Sequence, residues 1–113
     1  MNVVFHFQRL DAYVVAKDFA KLAHDAHIGD AELRSQVTRA AKSVYLNTSE
    51  GLPDRRTGVR HKFFSIARGS LGEAVAGIEL SVAIGALAPA KAEVLLGLAQ
   101  RMGALLGGLL RGQ

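Results

Sequence analysis

Four stretches of the chain repeat apolar side chains at the three- and four-residue spacing of an amphipathic helix. In the first, about 11–26, Ala12, Ala16, Phe19, Ala20 and Ala23 share a face, while Asp11, Asp18 and Asp25 recur every seventh position on another. In the second, about 30–51, the core row is Leu33, Val37, Ala40, Val44 and Thr48. The third, about 58–86, carries Phe64, Ala67, Leu71, Ala74, Ile78 and Val82. The fourth, about 89–111, carries Val94, Leu98, Met102, Leu105 and Leu109.

Punctuation between these stretches fits the same reading. Gly29 is the expected stop of the first helix, and Asp30 the N-cap of the second. Gly51 is the expected stop of the second, and Thr57 the N-cap of the third. Pro89 cannot continue a helix but suits the first turn of a new one. Short connections between consecutive long helices make neighbours antiparallel. An all-α, up-down-up-down four-helix bundle follows, as one domain over 1–113.

Composition narrows this further. Half of the 113 residues are hydrophobic, but the apolar mass is Ala, Leu and Val with scattered Gly, which suits close helix packing better than a sandwich. There is no cysteine, so disulfides, zinc–thiolate sites and thiol catalysis are excluded. The N-terminal stretch lacks the apolar core of a secretory signal, and Lys91, Glu93 and Arg101 interrupt the most apolar segment. A cytoplasmic protein without a membrane partner is expected.

Charge is distributed unevenly. The net charge is +4, yet within 34–68 eight basic residues stand against only Glu50 and Asp54. Arg55, Arg56, Arg60 and Lys62 cluster around the second connection, with Arg34 and Lys42 as helpers. Such a concentration is either a polyanion-binding surface or an ordinary solvated loop. Conversely, 82–113 holds only Lys91, Glu93, Arg101 and Arg111 as charged residues. The outward row of the third helix (Ser65, Gly72, Ala76, Ala83, Ala86) is small and uncharged too. Bare faces of this kind mark an interface, so self-association is expected.

The second helix also carries a polar row of Gln36, Arg39, Ser43, Asn47 and Glu50 at the edge of its core row. Ser70 and Glu73 hold the same place on the third. Antiparallel pairing through the short connection puts residues whose numbers sum to about 108 at one height. Arg39 then meets Ser70 within reach of Glu73, and Glu50 falls beside 58–62, near Arg60 and His61. An acid, a base and an amide in one row admit a catalytic reading. However, no histidine lies in the row, and Ser43 has no adjacent base. The favoured reading is an interhelix network with Arg39 forked onto a buried Glu73.

Other chemistries find less support. No Glu is followed by His at the spacing of a di-metal bundle, and His24 and His27 lie at a helix end, so no metal site or cofactor is expected. The glycines Gly69, Gly72 and Gly77 match no phosphate-loop spacing and are better explained by close helix contact. No stacking aromatics accompany the basic loop.

The segments QVTRAAKSVYLNTSEG and FFSIARGSLGEAVAGIELSVAIGAL resemble the four-helix-bundle family of 23S rRNA intervening-sequence proteins. The residues carrying the resemblance are Gln36, Arg39, Ala40, Ser43, Asn47, Glu50 and Gly51, then Ala67, Gly69, Ser70, Leu71 and Glu73. Thr48 and Ser49 stand where the family favours Ile-Ala. The resemblance spans about 8–110 and implies a ring-shaped homopentamer without enzymatic activity. A related branch looks like the accessory proteins of diversity-generating retroelements, which bind nucleic acid and a reverse transcriptase through a basic ring.

The expected function is therefore that of a non-enzymatic homo-oligomer binding RNA or DNA through phosphate contacts, without sequence preference. The alternative is a protein-interaction adaptor, such as a reverse-transcriptase accessory, with no nucleic-acid binding of its own.

Overall fold

The computed structural model describes residues 5–112; the first four residues and Gln113 of the expected 1–113 domain lie outside them. A 3₁₀ turn, His6–Arg9, leads into α1 (Asp11–Asp25), α2 (Ala31–Gly51), α3 (Thr57–Ala83) and α4 (Pro89–Arg111). No strand occurs among the described residues. Each helix touches its sequence neighbours, and α4 closes back on α1, within an envelope of 43 × 29 × 20 Å. The chain is an all-α assembly of four helices.

Helix ends show where local chemistry governs. The Asp30 carboxylate caps α2 by accepting from the Leu33 N–H at 2.9 Å. Three other expectations fail for identifiable reasons. After α1 the left-handed residue is His27, at φ 53°, and not Gly29. Gly29 instead donates its N–H to the Ala86 carbonyl at 2.8 Å, tying the α1–α2 and α3–α4 connections together. A Cβ there would sit 3.3 Å from that oxygen, so the glycine serves close approach. Thr57 is the first residue of α3, and its N-cap is Arg56 without a side-chain bond. Asp54 instead accepts the Arg56 N–H at 2.8 Å. Finally, Gly85, at φ 76°, ends α3 near Ala83, ahead of the expected 86.

The core rows of α2 and α3 lie where the periodicity puts them. Leu33, Val37, Ala40, Val44 and Thr48 are buried, as are Phe64, Ala67, Leu71, Ala74 and Ile78; Val82 is half-buried. Phe19 from α1 and Phe64 from α3 are fully enclosed, each contributing roughly 2–3 kcal/mol. Thr48 Oγ1 is buried without a partner, the one such side-chain atom among the described residues.

The face of α4 is rotated from expectation. Ala92, Leu95, Ala99, Met102 and Leu106 are the buried residues, while Val94 is exposed and Leu98, Leu105 and Leu109 are half-buried. Of the expected row only Met102 is buried. Half-buried Leu96, Leu98, Leu105, Leu109 and Leu110 flank the buried row, so more than one row of α4 offers leucine to the core.

Register between α2 and α3 is set by two glycines. A Cβ on Gly51 would lie 2.7 Å from Phe64 Cε1, and one on Gly77 would lie 2.5 Å from Val37 Cγ2. Gly51 thus makes room for a ring from within the last turn of α2. By contrast, Gly69 and Gly72 have nothing within 4 Å, so close contact inside the chain explains Gly77 alone of the three in α3. Gly51→Ala is expected to destabilise the fold by about 1–3 kcal/mol through overpacking, despite alanine's better helix propensity. Gly69→Ala is expected to stabilise it by up to about 1 kcal/mol. Urea denaturation of both variants checks the contrast, and a gain for Gly51→Ala would contradict this packing.

Candidate nucleic-acid interface

The pairings Gly51–Phe64 and Val37–Gly77, with the Ser43–Ser70 hydrogen bond, displace α3 by about six positions from the expected height, roughly 9 Å. The cause lies in the connection. Arg60 reaches back to donate from Nη1 to the Leu52 carbonyl at 2.9 Å and the Asp54 carbonyl at 3.0 Å. Its guanidinium also lies over the Phe64 ring, 5.2 Å from the centroid. The first turn of α3 therefore overshoots the end of α2.

The shift pairs Ser43 with Ser70, and exposure divides the rest of the polar row. Ser43 and Ser70 share a hydrogen bond at 2.7 Å, and Asn47 Nδ2 donates to the Ser43 carbonyl at 2.9 Å and to its Oγ at 3.0 Å. Gln36, Arg39 and Glu73 line the same hollow, of about 310 Å³, but all three are exposed. No ion pair joins Arg39 to Glu73 among the described residues, which corrects the buried fork. Glu50 is exposed and makes no ion pair to Arg60 or His61. The three bonded members are serine and asparagine, a neutral brace between α2 and α3.

The six basic residues fall into two regions. Arg55, Arg56, Arg60 and Lys62 lie at the connection after α2, whereas Arg34 is at the start of that helix, about 27 Å away by helical rise. Arg34 donates from Nη1 to the Ile28 carbonyl at 2.7 Å. With Lys42 it joins Arg39, Thr38, His24 and His27 in an open groove of about 530 Å³ between α1 and α2. Among the described residues no carboxylate lines that groove. The histidines had been read from the sequence as a solvated helix end; they are exposed, and the α1–α2 pairing is what places them beside the cations.

At the other end the four are unequal. Arg56 is engaged by Asp54 through Nη2–Oδ2 at 2.8 Å and Nε–Oδ1 at 3.1 Å. These bonds, and the Arg56 N–H, hold the Asp54 carboxyl well below its usual value, at about 2. Arg60 is occupied by the backbone, while Arg55 and Lys62 are exposed. The aromatic absence expected here is corrected. The N-terminal turn carries Phe5 and Phe7 to the connection, where they share a hollow of about 680 Å³ with Pro53, Arg55 and Arg60. Nothing local in the sequence signals that meeting, because it depends on the turn folding across the bundle end.

Behind Phe7, Tyr13 and Tyr45 bring their hydroxyls within 2.6 Å. Burial, then the bond to Tyr13, pushes the Tyr45 hydroxyl up to about 12. Both rings brace α1 against α2. Among the described residues, no group of three or more His, Asp or Glu is placed to hold a metal ion.

Fold and surface together define a small helical bundle with two basic regions, one of them a groove without a carboxylate among the described residues. The family model for the 23S rRNA-intervening sequence protein matches residues 8–108, and the chain belongs to that family. A search among curated proteins finds no match to the chain.

Two outcomes check this site. Arg39→Ala is expected to change stability by less than about 0.5 kcal/mol, as at an exposed position. Ser43→Ala, which strips Ser70 of its partner, is expected to cost about 1 kcal/mol in the same urea titration. Asp54 also predicts an acid limb. Its folded-state value lies below its ordinary 3.8, so its stabilisation is present above pH 3.8 and lost as pH falls through about 2. Asp54→Asn should lack this limb, and equal acid sensitivity of variant and wild type would refute it.

Proposed function

We propose that the chain is a non-enzymatic, cytoplasmic homo-oligomer that binds RNA or DNA without sequence preference through its basic surface. One observation carries the reading: of the eight basic side chains within 34–68, only Arg56 has a carboxylate partner among the described residues. A soluble protein ordinarily mixes both signs on its surface. An excess left unpaired favours a polyanion, and phosphate contacts need no base readout.

Self-association is supported by what α3 and α4 leave uncovered. Leu80, Ile84 and Val94 are 50%, 54% and 57% exposed. A largely apolar hollow between α1 and α4 is lined by Leu22, Ala26, Val94 and Leu95, with Asp25 and Lys91 at its edge. α4 is long and apolar enough to cross a membrane by length and composition alone. Its buried row packs into the core with α1 and α3, which favours another protein copy over lipid as the cover of its outer side. A ring-shaped homopentamer is the assembly the resemblance implies, and it would repeat each basic region around the ring.

Fluorescence anisotropy with structured RNA and duplex DNA tests the reading, alongside light scattering for assembly mass. Binding should weaken linearly in log–log form between about 50 and 200 mM salt. A variant with Arg39, Lys42, Arg55 and Lys62 each changed to Gln should bind more weakly with a shallower slope, at an unchanged mass of several 12.0 kDa chains. No binding at the lower salt would favour the protein-adaptor reading, and a 12.0 kDa particle would remove the oligomer.

A further inference from the structure

The hollow at the N-terminal turn combines features that plain phosphate binding does not need. Its wall carries Phe5 and Phe7, the outer rungs of a ladder of aromatic rings running from the bundle outward. The Tyr13 and Tyr45 centroids are 5.2 Å apart, Phe7 meets Tyr13 edge-on at 5.5 Å, and Phe5 stacks on Phe7 at 5.7 Å with only 14° between planes. The inner rungs are anchored by the tyrosine hydroxyl bond and by packing, while Phe5 is 61% exposed. A large apolar ring held at the surface at the end of such a stack forgoes much of its hydrophobic burial.

The rim supplies the complementary charge. Arg55 and Arg60 line the hollow with Phe5, Phe7, Leu10 and Pro53. Among the described residues the one carboxylate at the rim, Asp54, is already bound by Arg56 at 2.8 Å, and Arg55 has no carboxylate partner. Arg60 is held in place by two carbonyls and the Phe64 ring, and so presents a fixed cation beside the aromatic wall. An aromatic face with a cation at its edge matches a nucleobase joined to its phosphate. A base in a duplex cannot reach such a face, because both of its own faces are stacked.

We propose that this hollow holds an unpaired nucleobase of a single-stranded nucleic acid, stacked on Phe5, with Arg55 contacting the adjoining phosphate. The inference rests on the nucleic-acid reading above and specifies the form of the ligand. It also separates two tasks: the α1–α2 groove meets phosphates of any strand, and the turn hollow selects strands with free bases.

The test uses the full chain and three labelled probes at about 50 mM salt: a short oligothymidine, the same strand built from abasic residues, and a duplex of equal length. Wild type should bind oligothymidine roughly tenfold more tightly than the abasic strand. Phe5→Ala should erase that preference while leaving abasic and duplex binding unchanged. Because the chain has no tryptophan, Phe5→Trp adds a single local reporter. Its emission should be quenched by oligothymidine and not by the abasic strand.

Equal affinity of wild type for the thymidine and abasic strands would overturn the stacking site, as would uniform loss across all probes in Phe5→Ala. Duplex binding without base dependence removes the stacking site alone and leaves the phosphate reading standing. Absence of binding to every probe removes both.

Discussion

The closest approach between α2 and α3, made at two glycines, is the constraint on which the remaining geometry depends. Gly51 admits the edge of Phe64, and Gly77 admits Val37. The two contacts lie near opposite ends of the α2–α3 seam, so they fix its axial register as well as its spacing. Once Phe64 sits beside Gly51, α3 cannot begin level with the end of α2, and the chain must climb past it before turning back. Arg60 then falls within reach of the Leu52 and Asp54 carbonyls that this climb leaves without helical partners. The same register puts Ser43 opposite Ser70 and leaves Arg39 and Glu73 at the surface. A one-turn slip would instead set side chains bearing a Cβ against Phe64 and Val37, where the two glycines now make room.

That register shows why the sequence reveals the helices better than the site. The apolar rows of α2 and α3 alternate with charged positions, so their buried faces could be read directly from Leu33 through Thr48 and from Phe64 through Ile78. The height of one helix against the other could not. Counting from the middle of the connection assumes a symmetric turn, and the overshoot before Phe64 breaks that symmetry. The Glu50 placement failed for this reason, whereas the Arg39–Glu73 fork failed because both side chains sit at the exposed edge of the seam, lining one hollow without pairing. α4 failed differently: with leucine or a small residue at most positions, the helix could be rotated by about 100° without losing apolar burial. Its length and its proline start were legible, but its inward face was not.

The candidate interface was legible only as composition. A surplus of arginine and lysine around 34–68 is visible in the sequence, but not its division by a 21-residue helix into two regions. Nor is it visible which cations the fold already employs. Arg34 holds the Ile28 carbonyl, Arg56 holds Asp54, and Arg60 closes the α2–α3 connection. These guanidiniums fix loop geometry, a use that suits the planar multi-donor arginine fork more than a lysine ammonium. Phe5 and Phe7 were missed because aromatic residues near a terminus carry no periodic signal.

The cations divide by role as well as by position. Those that bond carbonyls or Asp54 sit at connections, where helix ends expose backbone oxygens that need donors. Arg39, Lys42, Arg55 and Lys62 have no such partner among the described residues, and removing their charge would relieve mutual repulsion within the chain. A fold alone gives no reason to keep like charges facing a carboxylate-free groove and an aromatic hollow. The aromatic hollow lies at the opposite end of the bundle from the exposed apolar positions Leu80, Ile84 and Val94, whereas the α1–α2 groove shares their end, where Gly29 bonds Ala86. Assembly would then bring equivalent basic regions to regular spacing, and a flexible phosphate backbone could engage several at once. In the proposed assembly the modest excess of one protomer would be multiplied, which would link the bare helices to the charged ones in one physical account.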